Sequence, residues 1–250
     1  MTKDSSLFAV ISDIHGNLDA LEAVLADIRQ FPVSQIFCLG DIVGYGPEPA
    51  KCVQIVMDKC SACVSGNHES LLFVGLKMLE EDWQDCISHP IQLACEQLSK
   101  PQIEWLRSLP LTIRIGTSTL CHASLHEPNE YHYIDEISAA DLHFAAQKSP
   151  ISFHGHTHMP VLWEKQWKLH KCYMLSEKSI KLQSRKRYAI NCGSVGQPRD
   201  CDPRASYVLY SPEDRVIIHR RVAYDIETSI KRFKKANLAV ENATRLITGE

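Results

Sequence analysis

The chain has 250 residues, 44% of them hydrophobic and 23% charged, with a formal net charge of −3. That is enough ordinary globular sequence for one sizeable core, and the slight acidity gives no general reason to expect nucleic-acid or membrane binding. No basic start leads into an apolar signal region and no apolar run reaches membrane-spanning length, which reads as a cytoplasmic protein.

Leu7-Phe8-Ala9-Val10-Ile11 predicts a buried strand, and Leu18, Leu21, Leu25 and Ile28 fall on one face of a helix. Asp13 and His15 therefore sit on a strand-to-helix turn, where open α/β sheets bind ligands. A second strand over 35–39 ends in Gly40-Asp41. The turn Val43-Gly44-Tyr45-Gly46-Pro47-Glu48-Pro49 then leads into a helix covering Val53, Ile55 and Val56. A third strand over 62–65 delivers Gly66-Asn67-His68-Glu69. This β-α-β-α-β order predicts parallel strands with right-handed crossovers.

Residues 70 to about 108 read as a helical insertion that either packs on the outside of the sheet, the simpler expectation, or caps the site. Pro110 to Ile115 and Ser118 to Cys121 predict a strand pair, the second delivering His122. Ile134 to Gln147 predicts a helix, and Ile151-Ser152-Phe153 a strand delivering His154-Gly155-His156-Thr157-His158. Strands follow at 161–163, 168–175, 179–182, 188–191, 205–210 and 216–222, then a helical tail from about Ile226 with a break near Asn237. βαβ units followed by hairpin-like strands predict one mixed sheet, or a second sheet packed on the first. The lysine- and arginine-rich stretch from Glu164 to Arg187 reads as a solvated hairpin edge. The ten cysteines, among them Cys60 and Cys63 in a C-x-x-C, read mainly as small buried hydrophobes. No repeat or linker divides the chain, so one domain over 1–250 is the expectation.

Five strand ends thus deliver Asp13/His15, Asp41, Asn67/His68, His122 and His154/His156, with Gly40, Gly66 and Gly155 beside them. Carboxylate and imidazole together suit Mn, Fe, Zn or Ni. The groups exceed what one four- to six-coordinate ion needs and point to two ions sharing a carboxylate, the usual clamp for in-line displacement at phosphorus. His158 and His126 read as supporting or solvated groups.

D-x-H (Asp13, His15), G-D (Gly40, Asp41), G-N-H-E (Gly66 to Glu69), a histidine after a strand (His122) and G-H-x-H (Gly155 to His158, preceded by His154) resemble the calcineurin-like metallophosphoesterase superfamily. Gly44-Tyr45-Gly46-Pro47 and the segment Asn191 to Arg199 are similar to its bacterial branch of compact YfcE-like phosphodiesterases. The resemblance implies an α/β (α+β by some schemes) sandwich of two packed mixed sheets flanked by helices, in four αββα layers. It implies one ion, with manganese a candidate, held by Asp13, His15, Asp41 and His156. A second ion would be held by Asp41, Asn67, His122 and His154. A hydroxide bridging the ions would be the nucleophile, Asp41 would bridge the two ions, and His68 would be the general acid. The implied reaction is hydrolysis of phosphate esters, phosphodiesters or nucleotide-type compounds foremost, on a small substrate with no covalent intermediate.

The alternatives are a serine/threonine phosphoprotein phosphatase and a non-catalytic scaffold of the same fold. The first carries an arginine shortly after G-D, and here Ile42-Val43-Gly44-Tyr45 follows Asp41 instead. The second, as in one retromer subunit, has lost the histidine that this chain keeps as His68. Arg199 is the candidate to grip phosphate in place of the missing arginine, with a salt bridge to Asp200 or Asp202 as the competing reading. Asn17, Tyr45 and Ser194 are further candidates for shaping the substrate pocket.

Overall fold

The computed structural model describes residues 7–74 and 84–250. Two six-stranded mixed sheets lie face to face, with helices on both outer faces. The first half of the chain builds one sheet from β1 (Leu7–Ile11), β2 (Val33–Cys38) and β3 (Ala62–Cys63), parallel and joined through α1 (Leu18–Ile28) and α2 (Pro49–Lys59). Two strands from the far end of the chain, β11 (Ala205–Ser211) and β12 (Val216–Val222), complete it with β9 (Ser179–Lys181), in the order β3-β2-β1-β11-β12-β9. The second sheet runs β4-β5-β6-β10-β7-β8, from β4 (Thr112–Ile115), β5 (Ser118–Cys121), β6 (Ile151–His154), β7 (Val161–Gln166), β8 (Leu169–Met174) and β10 (Arg187–Asn191).

Strand periodicity explains why the sheets stack. Side chains alternate across a strand, and β1 is apolar on both faces: Ala9 and Ile11 join a core under α1 and α2, while Phe8 and Val10 point to the opposite sheet. β11 repeats the pattern, with Tyr207 and Leu209 toward the helices and Val208 and Tyr210 toward the second sheet. Phe8 forms the centre of the inter-sheet seam, with ring centroids of Phe37, Tyr210 and Phe153 at 5.2, 5.1 and 5.9 Å. On the far side, α6 (Ile137–Ala146) lays Phe144 and Ala140 against Trp163 and Ala189. The four layers are therefore helix, sheet, sheet, helix.

Among the described residues, four further helical segments fall across the stretch read as helical in the sequence. α3 (Asn67–Val74), a π-helical turn (Gln84–Ser88), α4 (His89–Gln97) and α5 (Lys100–Ser108) cover the middle of the chain, and Ile91, Ala94, Leu98 and Leu106 pack into the core under α1 and α2. The part of that expectation between 75 and 83 lies outside the described residues. The tail forms α7 (Ile226–Lys235) and α8 (Val240–Thr248), broken at Asn237 as predicted. The basic stretch is not one hairpin: β7 and β8 pair in the second sheet, whereas β9 crosses to the edge of the first. β8 and β9 are both outermost strands, and Lys171 and Lys181 on them fit the role of charged edge guards. Cys38, Cys52, Cys63, Cys121 and Cys192 are buried as expected, while Cys95 is exposed. No described helix is long and apolar enough to cross a membrane.

Candidate metal centre

β1, β2 and β3 are parallel, and so are β5, β6 and β10. The carboxyl ends of each trio therefore lie along one edge of their sheet, and the loops that leave them meet over the seam. Asp13 and His15 follow β1, Asp41 follows β2, and Asn67 and His68 open α3 just after β3. His122 follows β5, and His156 and His158 follow β6.

Among the described residues, twelve non-glycine residues have positive φ, and Asp13, His15, Asp41, Tyr45, His156 and His158 are half of them. Such backbone is costly for residues with a Cβ and collects at functional sites, where the surroundings over-determine it. Here loop-to-loop hydrogen bonds do so. The amides of Asp13, His15 and Gly16 donate to the carbonyls of Gly40, Asp41 and Ile42 at 3.1, 2.9 and 2.8 Å. From the other sheet, Val195 and Gly196 donate to the carbonyls of Ser12 and Asp13, and the His156 amide donates to the Asp13 carboxylate at 3.0 Å.

Three imidazoles are aimed the same way. Nδ1 of His15 donates to the Val43 carbonyl (3.1 Å), Nδ1 of His122 to the Leu39 carbonyl (2.8 Å) and Nδ1 of His158 to the Gln197 carbonyl (2.6 Å). A carbonyl only accepts, so each Nδ1 carries the hydrogen and, in the neutral ring, each Nε2 presents a lone pair. Those Nε2 atoms converge. His15 Nε2 lies 3.0 Å from His158 Nε2, which is 3.4 Å from an Asp13 oxygen. His122 Nε2 lies 3.0 Å from the Asn67 side-chain oxygen, 3.2 Å from His156 Nδ1 and 3.3 Å from Asp41 Oδ2. Three overlapping metal-competent groups result, Asp13/His15/His158, His15/Asp41/His68 and Asp41/His122/His156, with Asp41 Oδ2 3.7 Å from His15 Nε2.

The electrostatics of this cluster ask for positive charge. Burial works against ionised carboxylates, yet the facing imidazoles, His158 for Asp13 and His122 for Asp41, hold both below the usual range. Burial pushes His15 down, and His156 down to about 3, which keeps them neutral donors of electron pairs. Burial also disfavours charge on His122, but Asp41 beside it pushes that ring up to about 10, so without an ion Nε2 carries a proton that a bound cation would have to displace to reach the lone pair. Buried carboxylates, an amide oxygen and inward-facing imidazole lone pairs form a donor set that fits borderline divalent ions.

Two sequence-based expectations change. His154 was expected among the ligands, but it is the last residue of β6 and obeys strand alternation. Phe153 points into the inter-sheet seam, so His154 points away from it, its ring 5.8 Å from His143 on α6 and its Nδ1 3.2 Å from the Asn191 side-chain nitrogen. The loop places His156 beside His122 and brings His158, expected only as a supporting group, beside Asp13 and His15. The pair is thus His156 and His158, two residues further along. Asn17 and Ser194, expected to shape the pocket, hydrogen-bond to the backbone through their side chains. Asn17 caps α1 by accepting from the Ala20 amide and donates to the Gly196 carbonyl, while the Ser194 hydroxyl donates to the Asp13 carbonyl and accepts from the Gln197 amide.

His68, Tyr45 and Arg199 do line the centre. The His68 amide donates to Asp41 Oδ1 at 2.9 Å, and its Nε2 stands 4.0 Å from Asp41 Oδ2. Its ring lies 4.7 Å from those of both His15 and Tyr45. Gly44 makes that position possible: it has φ +86°, and a Cβ there would sit 2.1 Å from His68 Nδ1. Arg199 donates to the Tyr45 hydroxyl (3.2 Å) and to Gln197, and its buried Nε has no partner in the described structure. The competing salt-bridge reading fails because Asp200 pairs with Arg221, and Asp202 with Arg204.

Sequence reasoning assigned Glu69 no role. It is fully buried and accepts four backbone hydrogen bonds, from Asp41 (2.7 Å), Ile42 (2.8 Å), Val43 (3.2 Å) and Gly66 (2.8 Å). Burial, then the charge on Asp41, pushes its carboxyl up to about 7. The signal available in the sequence was an acid one turn into a helix beside two glycine-containing loops. Glu69→Gln turns an acceptor into an N–H donor facing two of these amides. At about 1–3 kcal/mol per stranded buried donor, urea unfolding is expected to show a loss of roughly 2–6 kcal/mol.

Comparison with known proteins agrees with this architecture. The Calcineurin-like phosphoesterase superfamily domain matches residues 7–215. The chain is 35% identical over 248 residues to an uncharacterized protein of Methanocaldococcus jannaschii, covering 98% of each. It superposes on the crystal structure of a metallophosphoesterase from Sphaerobacter thermophilus with a TM-score of 0.88, at 35% identity, over 98% of this chain and 99% of that one. A shorter match, 28% identity over 123 residues, covers 46% of this chain and 42% of a symmetrical bis(5'-nucleosyl)-tetraphosphatase from Neisseria meningitidis. With its strand-end loops meeting in a buried carboxylate–imidazole cluster, the chain belongs to the calcineurin-like phosphoesterase superfamily of metal-dependent hydrolases that act on phosphoester bonds.

Proposed function

We propose that the whole chain acts as one domain holding two divalent metal ions and hydrolyses phosphodiesters or nucleotide-type phosphate esters. The observation that carries this reading is the convergence of three Nε2 atoms, each ring fixed by an Nδ1–H bond to a backbone carbonyl, on two buried carboxylates. Asp13, His15, Asp41 and His158 would hold one ion, and Asp41, Asn67, His122 and His156 the other, with Asp41 shared. When bound, the ions supply Lewis acidity toward the phosphoryl oxygens and lower the pKa of the attacking water.

The chain's own groups supply the rest. His68 stands beside the shared carboxylate and is placed to hand a proton to the departing alkoxide. Arg199 lies beside Tyr45 with an unspent Nε–H and no carboxylate partner among the described residues, which suits a guanidinium that grips a phosphoryl oxygen. Likeness to a bis(5'-nucleosyl)-tetraphosphatase supports nucleotide-type substrates.

The test is hydrolysis of an aryl phosphodiester and of dinucleoside polyphosphates by Mn²⁺-loaded and metal-stripped protein. Activity is expected only in the loaded form, restored by adding metal back, and equal turnover in both would sink the reading. Arg199→Ala is expected to lower kcat/KM by about 10–100-fold, on the scale of one charge-assisted bidentate contact of ~1.5–3 kcal/mol. Its metal content, measured by elemental analysis, should not change.

A further inference from the structure

We propose that His126, Glu127 and His132 form a third metal site, apart from the clustered centre, which takes a divalent ion of the zinc class and clasps the loop between β5 and α6. His126 Nε2 lies 3.5 Å and His132 Nε2 3.4 Å from the same oxygen, Glu127 Oε2, and the three ligand atoms all lie within 4.8 Å of one another. Those contacts are long for charge-assisted hydrogen bonds, which run about 2.7–2.9 Å. They match the edge of a tetrahedron: ligands about 2.0–2.1 Å from a zinc ion stand roughly 3.3–3.4 Å apart. Two imidazoles and one carboxylate make a three-ligand zinc set with a position left for water.

The surroundings favour a cation over an anion. The three residues line a cavity of about 370 Å³ whose wall also carries Asp135 and Glu136, and among the described residues no lysine or arginine lines it. Glu127 and Tyr131 hold positive φ, so the loop already turns sharply enough to bring positions 126, 127 and 132 together. The same loop begins just after His122 and includes Tyr133, whose ring stacks on His156 at 4.3 Å and 19°. An ion at this site would fix the segment that lays Tyr133 against the clustered centre.

Zn²⁺ or Co²⁺ binding to the full-length protein tests this, read by elemental analysis and by the visible absorption of tetrahedral Co²⁺. Wild-type protein is expected to hold one more ion per chain than the double variant His126→Gln/His132→Gln. Both side chains are partly exposed, so that variant should fold, and a native circular dichroism spectrum checks it. In an Asp41→Asn background, which attacks the clustered centre, the extra ion and its Co²⁺ spectrum should persist. Equal ion counts in wild type and the double variant, or loss of the extra ion with Asp41→Asn alone, would overturn the proposal. Loss of one ion in the double variant with unchanged content in Asp41→Asn would uphold this site and count instead against the two-ion reading of the centre.

Discussion

Asp41→Asn is expected to lower phosphoesterase kcat/KM by well over the ~10–100-fold that groups behind a ligand usually cost. The substitution keeps the shape and the Oδ1 acceptor that takes the His68 amide, so the fold should survive. What it removes is the negative charge at Oδ2, which faces His122 at 3.3 Å, His15 at 3.7 Å and His68 at 4.0 Å. That oxygen lies within reach of ligands assigned to both ions, so its loss should cut the occupancy of both. Elemental analysis alongside kinetics checks this. Near-normal activity would remove Asp41 from its shared position.

His68→Ala carries the second large effect, about 10²–10⁴ in kcat, the usual contribution of a positioned general acid. Unlike Asp41→Asn, it should leave metal content intact if His68 serves as the acid; His68 also falls within ligand distance of His15 and Asp41, so a lost ion would make it a ligand instead. The loss should also depend on the leaving group. An aryl oxide that departs without a proton needs His68 less than an alkoxide does, so aryl esters should lose less rate than alkyl esters. A uniform loss on both would point to positioning instead. Gly44→Ala offers an independent route to the same result, since its Cβ would overlap His68 Nδ1 and push the ring aside without deleting it.

Much of this arrangement was legible in the chain. β1, α1, β2 and α2 announce themselves through alternation, helical spacing and glycine-proline turns, because each is decided by neighbours in sequence. The partner of β1 does not. β11 lies some two hundred residues away, and only the second apolar face of both strands hints that another layer covers them. The misplacement of the histidine pair has an equally specific cause. His154, His156 and His158 stand at a spacing of two, so strand alternation would put all three on one side and cannot choose between the pairs; where the strand ends decides. The strand ends at His154, and the left-handed backbone at His156 and His158 that turns both rings inward has no local sequence signature. Asn17 and Ser194 illustrate a different ambiguity: short polar side chains look alike in sequence whether they meet a substrate or close a backbone turn, and here both bond to backbone.

The seam between the sheets sets the tolerances of the centre. Asp13, His15, Asp41 and Asn67 leave one sheet, His122, His156 and His158 leave the other, and no described strand belongs to both. Sliding one sheet over the other by a fraction of an ångström would therefore shift four of the donors relative to the other three, as a caliper's jaws move with its frame. The rings of Phe8, Phe37, Phe153 and Tyr210 are the bearing surface that fixes that offset. Repacking them, with every polar residue of the centre untouched, becomes a way to retune which ion radius the centre prefers.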